Sequence, residues 1–534
     1  MKFKIQLLAL AFSSLIFSHV YSEQIIFGDH DLLRLTIETT GPTQADLNET
    51  ISIALDSCQA REFLKDTRNR LLVSEFQTDQ QEDHTKFEED RYQATIYDYT
   101  HGRAIVLNGY AFDSSTISAI ETNEQPISNA EELLEASHIA QIKSDEVVHH
   151  GMPPFISKDF PDGTSHRLLH LIVTSANSSR ELYINMNNRT VESSGPPTKL
   201  VCDIPDPAPN ASASGKGKPG TAKFVISSGG KTIWTFKAIR PSASSGTRAS
   251  GIELRDVKYK GKTVLFQAHA PILNVKYDSG CGPTYRDWQW DEWPLHCTGA
   301  VITPWLRFCN APAKTILDPP NADGGDFPGG IAVYFDGQEI VLKTQMFASW
   351  YRYVMEWRFH VNGTLKPRFG FGAVNLNNCP CNVHRHHVYW RLDFDIVSAG
   401  NNLVREFNGP NTHHDIIYEL KRRPKAPHRH WEISNTRTGE KYALIPGPND
   451  GVSDAYGVGD LWVVKYHPGE LDDGWAAVSG TDAQTMANID NFVNGEVVKK
   501  KDVVIWYGAH FKHDETQPGG GSHIVGPEIR PVKW

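Results

Sequence analysis

Cysteine is scarce in this chain, an excess of positive charge is absent, and only one long apolar run occurs. Seven cysteines in 534 residues are too few for a disulfide-built scaffold, so folding has to rest on apolar cores. Asp and Glu outnumber Lys and Arg by 63 to 53, a net charge of −10. That balance excludes the basic surface a nucleic-acid binder presents. The apolar run, Leu7 to Phe17, is short for a bilayer crossing, so no membrane span is expected.

What is present describes a large globular protein. Hydrophobic residues make up 40% of the chain and aromatics 10%, which fits packed cores rather than disorder. The length exceeds what one core usually serves. The run MKFKIQLLALAFSSLIFSHVYSEQ has a lysine-bearing start, an apolar centre and small residues near Ser22, the pattern of a signal peptide over residues 1–22. Secretion follows as an expectation. Glycosylation tripeptides at Asn48, Asn177, Asn188, Asn210 and Asn362 agree with it. In that compartment one or two disulfides are expected, and an odd count leaves at least one thiol free or paired between chains. Cys379 and Cys381 stand too close to pair easily with each other.

Two segments carry helix signals. TQADLNETISIALDSCQARE (43–62) opens on Thr43 with an acid three residues on, and SNAEELLEASHIAQI (128–142) repeats the device with Ser128 and Glu131. Alternating strand patterns follow each. They predict two small α+β domains, at 23–120 and 121–204. PDPAPNASASGKGKPGTA (205–222) has linker composition. From 223 to 534 strand signals dominate, KTIWTFKAI, YRYVMEWRFHV, HVYWRLDFDIV and KDVVIWYGAHF among them. They predict a mainly β fold with a large antiparallel β-sandwich.

The stretch NCPCNVHRHHVYWRLDFDI (378–396) concentrates the chemistry. His384 and His386 are spaced i, i+2, so on a strand both imidazoles share one face and His387 takes the other. Two imidazoles on one face can hold one ion, and VVIWYGAHFKH offers His510 and His513 as a third ligand. An all-imidazole set suits Cu(II), Zn or Ni. The plainer alternative is a polar strand face. Asp393 and Asp395 share the i, i+2 spacing and suit Ca²⁺ or Mn²⁺, although two solvated strand aspartates would look the same. The aromatic strands of FASWYRYVMEWRFHVNGTLKPRFGFGA (347–373) read as core, with a hairpin turn at Asn362-Gly363.

Together these segments resemble the copper amine oxidases, which carry a topaquinone made from one of their own tyrosines. The resemblance covers most of the chain and is strongest between about 233 and 513. It implies copper on His384, His386 and His513, the last placed seven residues after Trp506. It implies Tyr351, in WYRY, as the quinone precursor and Tyr277 as the tyrosine that hydrogen-bonds the cofactor. A gapless count of fourteen from Tyr277 puts the catalytic base at Asp291 in TYRDWQWDEW, with Asp287 and Asp278 as the candidates if a gap intervenes. A peripheral calcium-like or manganese site is implied on Asp393, Asp395 and Asp502 with the carbonyls of Phe394 and Val503.

The family's activity is oxidative deamination of a small primary amine to an aldehyde, with O₂ reduced to H₂O₂, and its members are homodimers. Departures are plain. Trp350 stands where the motif has Asn, and Arg352 where it has an acid. The acidic-Trp-Pro-Met-Pro run of the family is missing, and the catalytic domain is short. Cys297 corresponds to one cysteine of the family disulfide, but no cysteine lies near Val333; Cys281 or Cys309 could replace it. Trp350 and Arg352 keep two alternatives open: a quinone-free copper oxidase or oxygenase, and a non-enzymatic copper-binding protein.

Overall fold

The computed structural model describes residues 22–25, 33–77, 91–161, 163–175, 178–200, 204–208, 211–278, 281, 284–318, 323–409, 412–422, 428–474, 478–513 and 524–534. Most of the signal sequence, Asn177, Asn210 and Cys202 lie outside them. Asn48, Asn188 and Asn362 are exposed. Among the described residues no helix is long and apolar enough to cross a membrane.

Two small α+β units come first. In one, helices Gln44–Asp56 and Cys58–Leu64 pack on a four-stranded antiparallel sheet of residues 69–122. Thr43 caps the first helix as expected: its hydroxyl accepts from the Asp46 amide at 3.2 Å, and the Asp46 carboxylate accepts from the Thr43 amide at 2.7 Å. In the other, helix Ala130–Ile139 accompanies a five-stranded sheet of residues 147–199. Its cap is Asn129, one residue later than the expected Ser128, because Asn129 Oδ1 accepts from the Glu132 amide at 2.9 Å. Asn129 also donates to the Leu71 carbonyl at 3.1 Å, which joins the two units.

The rest is a sandwich of a twelve-stranded and an eleven-stranded sheet enclosing one apolar core. Pairing is antiparallel except where Leu306–Cys309 runs parallel to Ile331–Asp336. Residues 34–40, which the sequence assigned to the first small domain, pair with Thr221–Ser228 and belong to the sandwich. Six strands build the site described below: β1 (Lys262–Tyr277), β2 (Glu339–Ala348), β3 (Tyr351–His360), β4 (Leu365–Ala373), β5 (His384–Phe394) and β6 (Val503–His513). β5 lies between β1 and β6 in the larger sheet; β2, β3 and β4 are consecutive in the other. Being covered on both faces, β5 is apolar or buried through nearly its whole length.

Cys297 bonds Cys309, one of the two partners left open by the sequence, and Cys281 bonds Cys379. Cys58 is the exposed free thiol among the described residues. The sheets are locked together by buried indoles. Trp357 on β3 is fully buried and donates across the core to the Ile252 carbonyl at 2.8 Å. Trp357→Ala removes that bond and leaves a large void. It should cost about 3–5 kcal/mol in urea or guanidinium unfolding, and a loss below about 1 kcal/mol would mean the sheets are not joined there.

Candidate functional site

Register alone brings the histidines together. His384 on β5 faces His513 on β6 and Tyr277 on β1, while His386 follows two residues on with the same facing. The His384 ring centroid lies 5.0 Å from that of His386 and 4.8 Å from that of His513. All three are buried. His387 and His510, paired across the same two strands, meet on the opposite face with their Nδ1 atoms 2.9 Å apart. The structure therefore groups His513, not His510, with His384 and His386.

The tyrosines arrive from the other sheet. β2 and β3 are joined by a two-residue hairpin, Ser349-Trp350, with Ser349 at φ 55°, a left-handed first position of the kind such turns use. The strand that follows aims Tyr351 and Tyr353 at the histidines and Arg352 away. Tyr351 Oη is 2.7 Å from His384 Nε2 and 2.7 Å from Tyr277 Oη. Trp350 Nε1 donates to Tyr277 Oη at 2.9 Å.

Because the Asn382 carbonyl only accepts, His384 Nδ1 carries the proton and Nε2 accepts, which gives these contacts one consistent direction. Trp350 donates to Tyr277, Tyr277 to Tyr351, and Tyr351 to His384 Nε2. His384 Nδ1 in turn donates to the Asn382 carbonyl at 2.6 Å. Burial pushes the Tyr351 phenol well above its ordinary range, so it keeps its proton here.

Both departures at the tyrosine motif are absorbed. Trp350 becomes the donor that orients Tyr277. Arg352 points to the other face of its sheet, where its guanidinium pairs with Asp323 at 2.9 Å and lies 4.1 Å over the Trp293 ring. Its charge is neutralised there and does not face Tyr351.

The carboxylates sort differently from the gapless count. Asp291 is half-buried and lies away from Tyr351. Its oxygens accept from the Gly215 amide at 3.0 Å and Trp288 Nε1 at 3.1 Å. It borders a cleft of about 850 Å³ with His149, Trp293 and Phe347. Phe347 pairs with Arg352, so this cleft is on the sheet face opposite to Tyr351. Asp287 is the carboxylate at the tyrosines: Tyr353 Oη donates to its Oδ2. Burial raises Asp287 to about 7, against the lowering effects of the Tyr353 hydrogen bond and Arg248. Asp278 pairs with Arg385 at the surface. The gapless count leads to Asp291, but the carboxylate the fold sets beside Tyr353 is that of Asp287.

The three side chains are all buried imidazoles, a donor type that suits Cu(II), Zn or Ni and disfavours Mg²⁺ or Ca²⁺. The other end of β5 is the converse. Carboxylate oxygens of Asp393, Asp395 and Asp502 lie within 4.8 Å of one another, and Phe394 pairs with Val503 beside them. The backbone places those two residues next to the cluster. An oxygen-only set of this kind suits Ca²⁺ or Mn²⁺.

Several residues of this site carried no signal in the sequence. Phe371 stacks on His386 with centroids 3.8 Å apart; Asp323 and the Asn382 carbonyl act through contacts that only the fold creates. Phe371 was reachable in principle, because an Asn362-Gly363 hairpin sets it opposite Tyr353.

Solved structures share this architecture. Copper-containing benzylamine oxidase from Hansenula polymorpha aligns with a TM-score of 0.59 and 12% identity, over 90% of this chain and 96% of that one. An amine oxidase from Aspergillus nidulans aligns with a TM-score of 0.53 and 12% identity, over 91% of this chain and 87% of that one. No family model matches the sequence, and no curated protein matches it. The chain has the copper amine oxidase fold, in divergent form.

Two outcomes follow from the carboxylates. Burial raises Asp291 from 3.8 to about 7, so between those values the folded state holds a proton that the unfolded state has released. Its contribution to stability falls as pH rises through that window and is lowest above it. Asp291→Asn should therefore gain on the parent, by on the order of 1–3 kcal/mol, between pH 4 and 7 in urea titrations, with no further gain above. A difference that does not vary with pH would refute the assignment. At the far end of β5, saturating Ca²⁺ or Mn²⁺ should stabilise the fold, by about 2.7 kcal/mol at a hundredfold excess over Kd. Asp395→Asn should abolish the shift in calorimetry.

Proposed function

We propose that this chain is a secreted copper-dependent oxidase that deaminates a small primary amine to an aldehyde, with O₂ reduced to H₂O₂, through a topaquinone derived from Tyr351. The observation that carries the proposal is the 2.7 Å contact between Tyr351 Oη and His384 Nε2 inside a buried group of three imidazoles. A tyrosine touching a metal-ligand atom is where metal-assisted oxidation of its ring would be possible.

His384, His386 and His513 would hold the copper. Copper and the quinone, when present, supply the electron path from amine to O₂, which no protein side chain provides. The chain's own residues do the rest. Tyr277, directed by Trp350, holds the Tyr351 oxygen in one place. Asp287 takes the proton from the carbon bearing the amino group; at about 7 it is matched to accept and return a proton near neutral pH. Tyr353 donates to that carboxylate and fixes its direction. Phe371 and Trp350, packed against Tyr351, exclude water. The signal-like N-terminus, the disulfides and the exposed tripeptides support secretion, and the shared fold supports a homodimer. The carboxylate cluster would hold calcium or manganese.

One observation favours a second reading. Tyr351 is fully buried, with its hydroxyl held by both His384 and Tyr277, an arrangement that also suits a permanent phenol beside the metal in a quinone-free copper oxidase or oxygenase.

Copper-reconstituted protein, incubated in air, should give a positive quinone stain and an intact-mass gain matching conversion of one phenol to a hydroxylated quinone. Tyr351→Phe should abolish both. Asp287→Asn should keep the stain and lower H₂O₂ release from an amine panel by about 10²–10⁴-fold, whereas Asp291→Asn should change it little. Bound copper beside an unmodified Tyr351 would overturn the quinone reading in favour of the second.

A further inference from the structure

We propose that the Cys281–Cys379 disulfide and Asn382 are positioning elements of the copper site, and that opening this disulfide weakens copper binding; the inference rests on the copper reading above. An imidazole can offer only one nitrogen to a metal, and the hydrogen bond made by the other decides which. For His384 that bond is Nδ1 to the Asn382 carbonyl, at 2.6 Å. A carbonyl only accepts, so the proton sits on Nδ1 and Nε2 is the nitrogen that faces the site, where its lone pair accepts from Tyr351 in the absence of an ion.

The position of that carbonyl depends on a short turn. β5 begins at His384, so Asn382 lies outside the ladder. Cys379–Cys381 form a single 3₁₀ turn, closed by the Asn382 amide donating to the Cys379 carbonyl at 3.0 Å. Such a turn has little stability alone. Here the disulfide ties it to Cys281, four residues beyond Tyr277, which is the cross-strand partner of His384. Asn382 Nδ2 adds a contact to Cys281 Sγ at 3.0 Å, and the Asp278 amide donates to the Val383 carbonyl at 2.9 Å. The covalent link therefore fixes the acceptor that fixes the ring. With it open, the turn keeps only its Cys381 tether, and Asn382 can shift from Nδ1, which loosens the tautomer and ring orientation of His384.

The second disulfide, Cys297–Cys309, closes a hairpin in a separate core cluster and provides a control. Cys381 is disulfide-bonded too, so a variant lacking only the 281–379 bond retains a tether in the same turn.

Copper affinity would be measured by competition titration, and the nitrogen couplings of bound Cu(II) by electron paramagnetic resonance. The proteins are the parent, Cys281→Ser/Cys379→Ser, Cys297→Ser/Cys309→Ser and Asn382→Ala. The parent should bind with three nitrogens. The 281/379 variant should bind about 10–100-fold more weakly with an altered nitrogen pattern, and the 297/309 variant should match the parent. Asn382→Ala keeps every disulfide and removes only the contact to sulfur; it should show a smaller loss in the same direction, and it decides the matter if the 281/379 variant does not fold. A parent that binds no copper through its imidazoles would overturn the copper reading itself. A parent that binds, with a folded 281/379 variant of equal affinity and spectrum or an unchanged Asn382→Ala, would overturn this inference alone.

Discussion

β5 and β6 pair across all eleven residues of β5 without a register shift, from His384 opposite His513 to Phe394 opposite Val503. Everything chemical in this molecule hangs on that ladder. Side chains alternate faces along a strand, so a slip of one residue would turn His384 and His386 out of the site and bring His387 in. The ladder is held by burial on both faces, since Val388, Trp390 and Leu392 lie in the core on one side and Tyr389 packs with Trp462 on the other. A slip would exchange the two sets and carry His387 and Arg391 into the core that Val388, Trp390 and Leu392 now fill. The imidazoles are thus set in place by the burial of apolar residues along the same strand.

The second sheet contributes in the same manner. The hairpin at Ser349-Trp350 sets the phase of β3, and phase separates Tyr351 and Tyr353 from Arg352. A buried guanidinium is costly unless paired. Asp323 and the stacked Trp293 meet that need on the side away from the imidazoles. Hydrogen bonds then refine what phase has placed. Trp350, Tyr277, Tyr351, His384 and the Asn382 carbonyl form one directed chain in which each donor has a single acceptor. Removing any member would leave a buried polar group unmet.

The sequence was legible where periodicity or register decides the outcome. Period-two patterns revealed the strands, the i, i+2 spacing revealed the His384–His386 face, and the capped Thr43 helix could be read from its box. It was illegible where contacts distant along the chain decide. Asp291 was favoured over Asp287 by counting along the chain, whereas the fold sets Asp287 beside Tyr353 and Asp291 at the cleft on the opposite sheet face. The Asn129 cap was missed because the competing Ser128 is an equally good capping type, and only the contact to Leu71 selects between them. Arg352 looked disruptive because its partner, Asp323, is 29 residues away in sequence.

The imidazoles and the carboxylates occupy opposite ends of one strand. His384 and Asp393 are nine positions apart, which at the rise of an extended chain is about 30 Å. In open solution that is roughly three to four screening lengths, but both ends are buried, where salt screens far less and charge carries further. A cation held at one end would therefore weakly oppose a cation at the other, and the strand that separates them would also couple them.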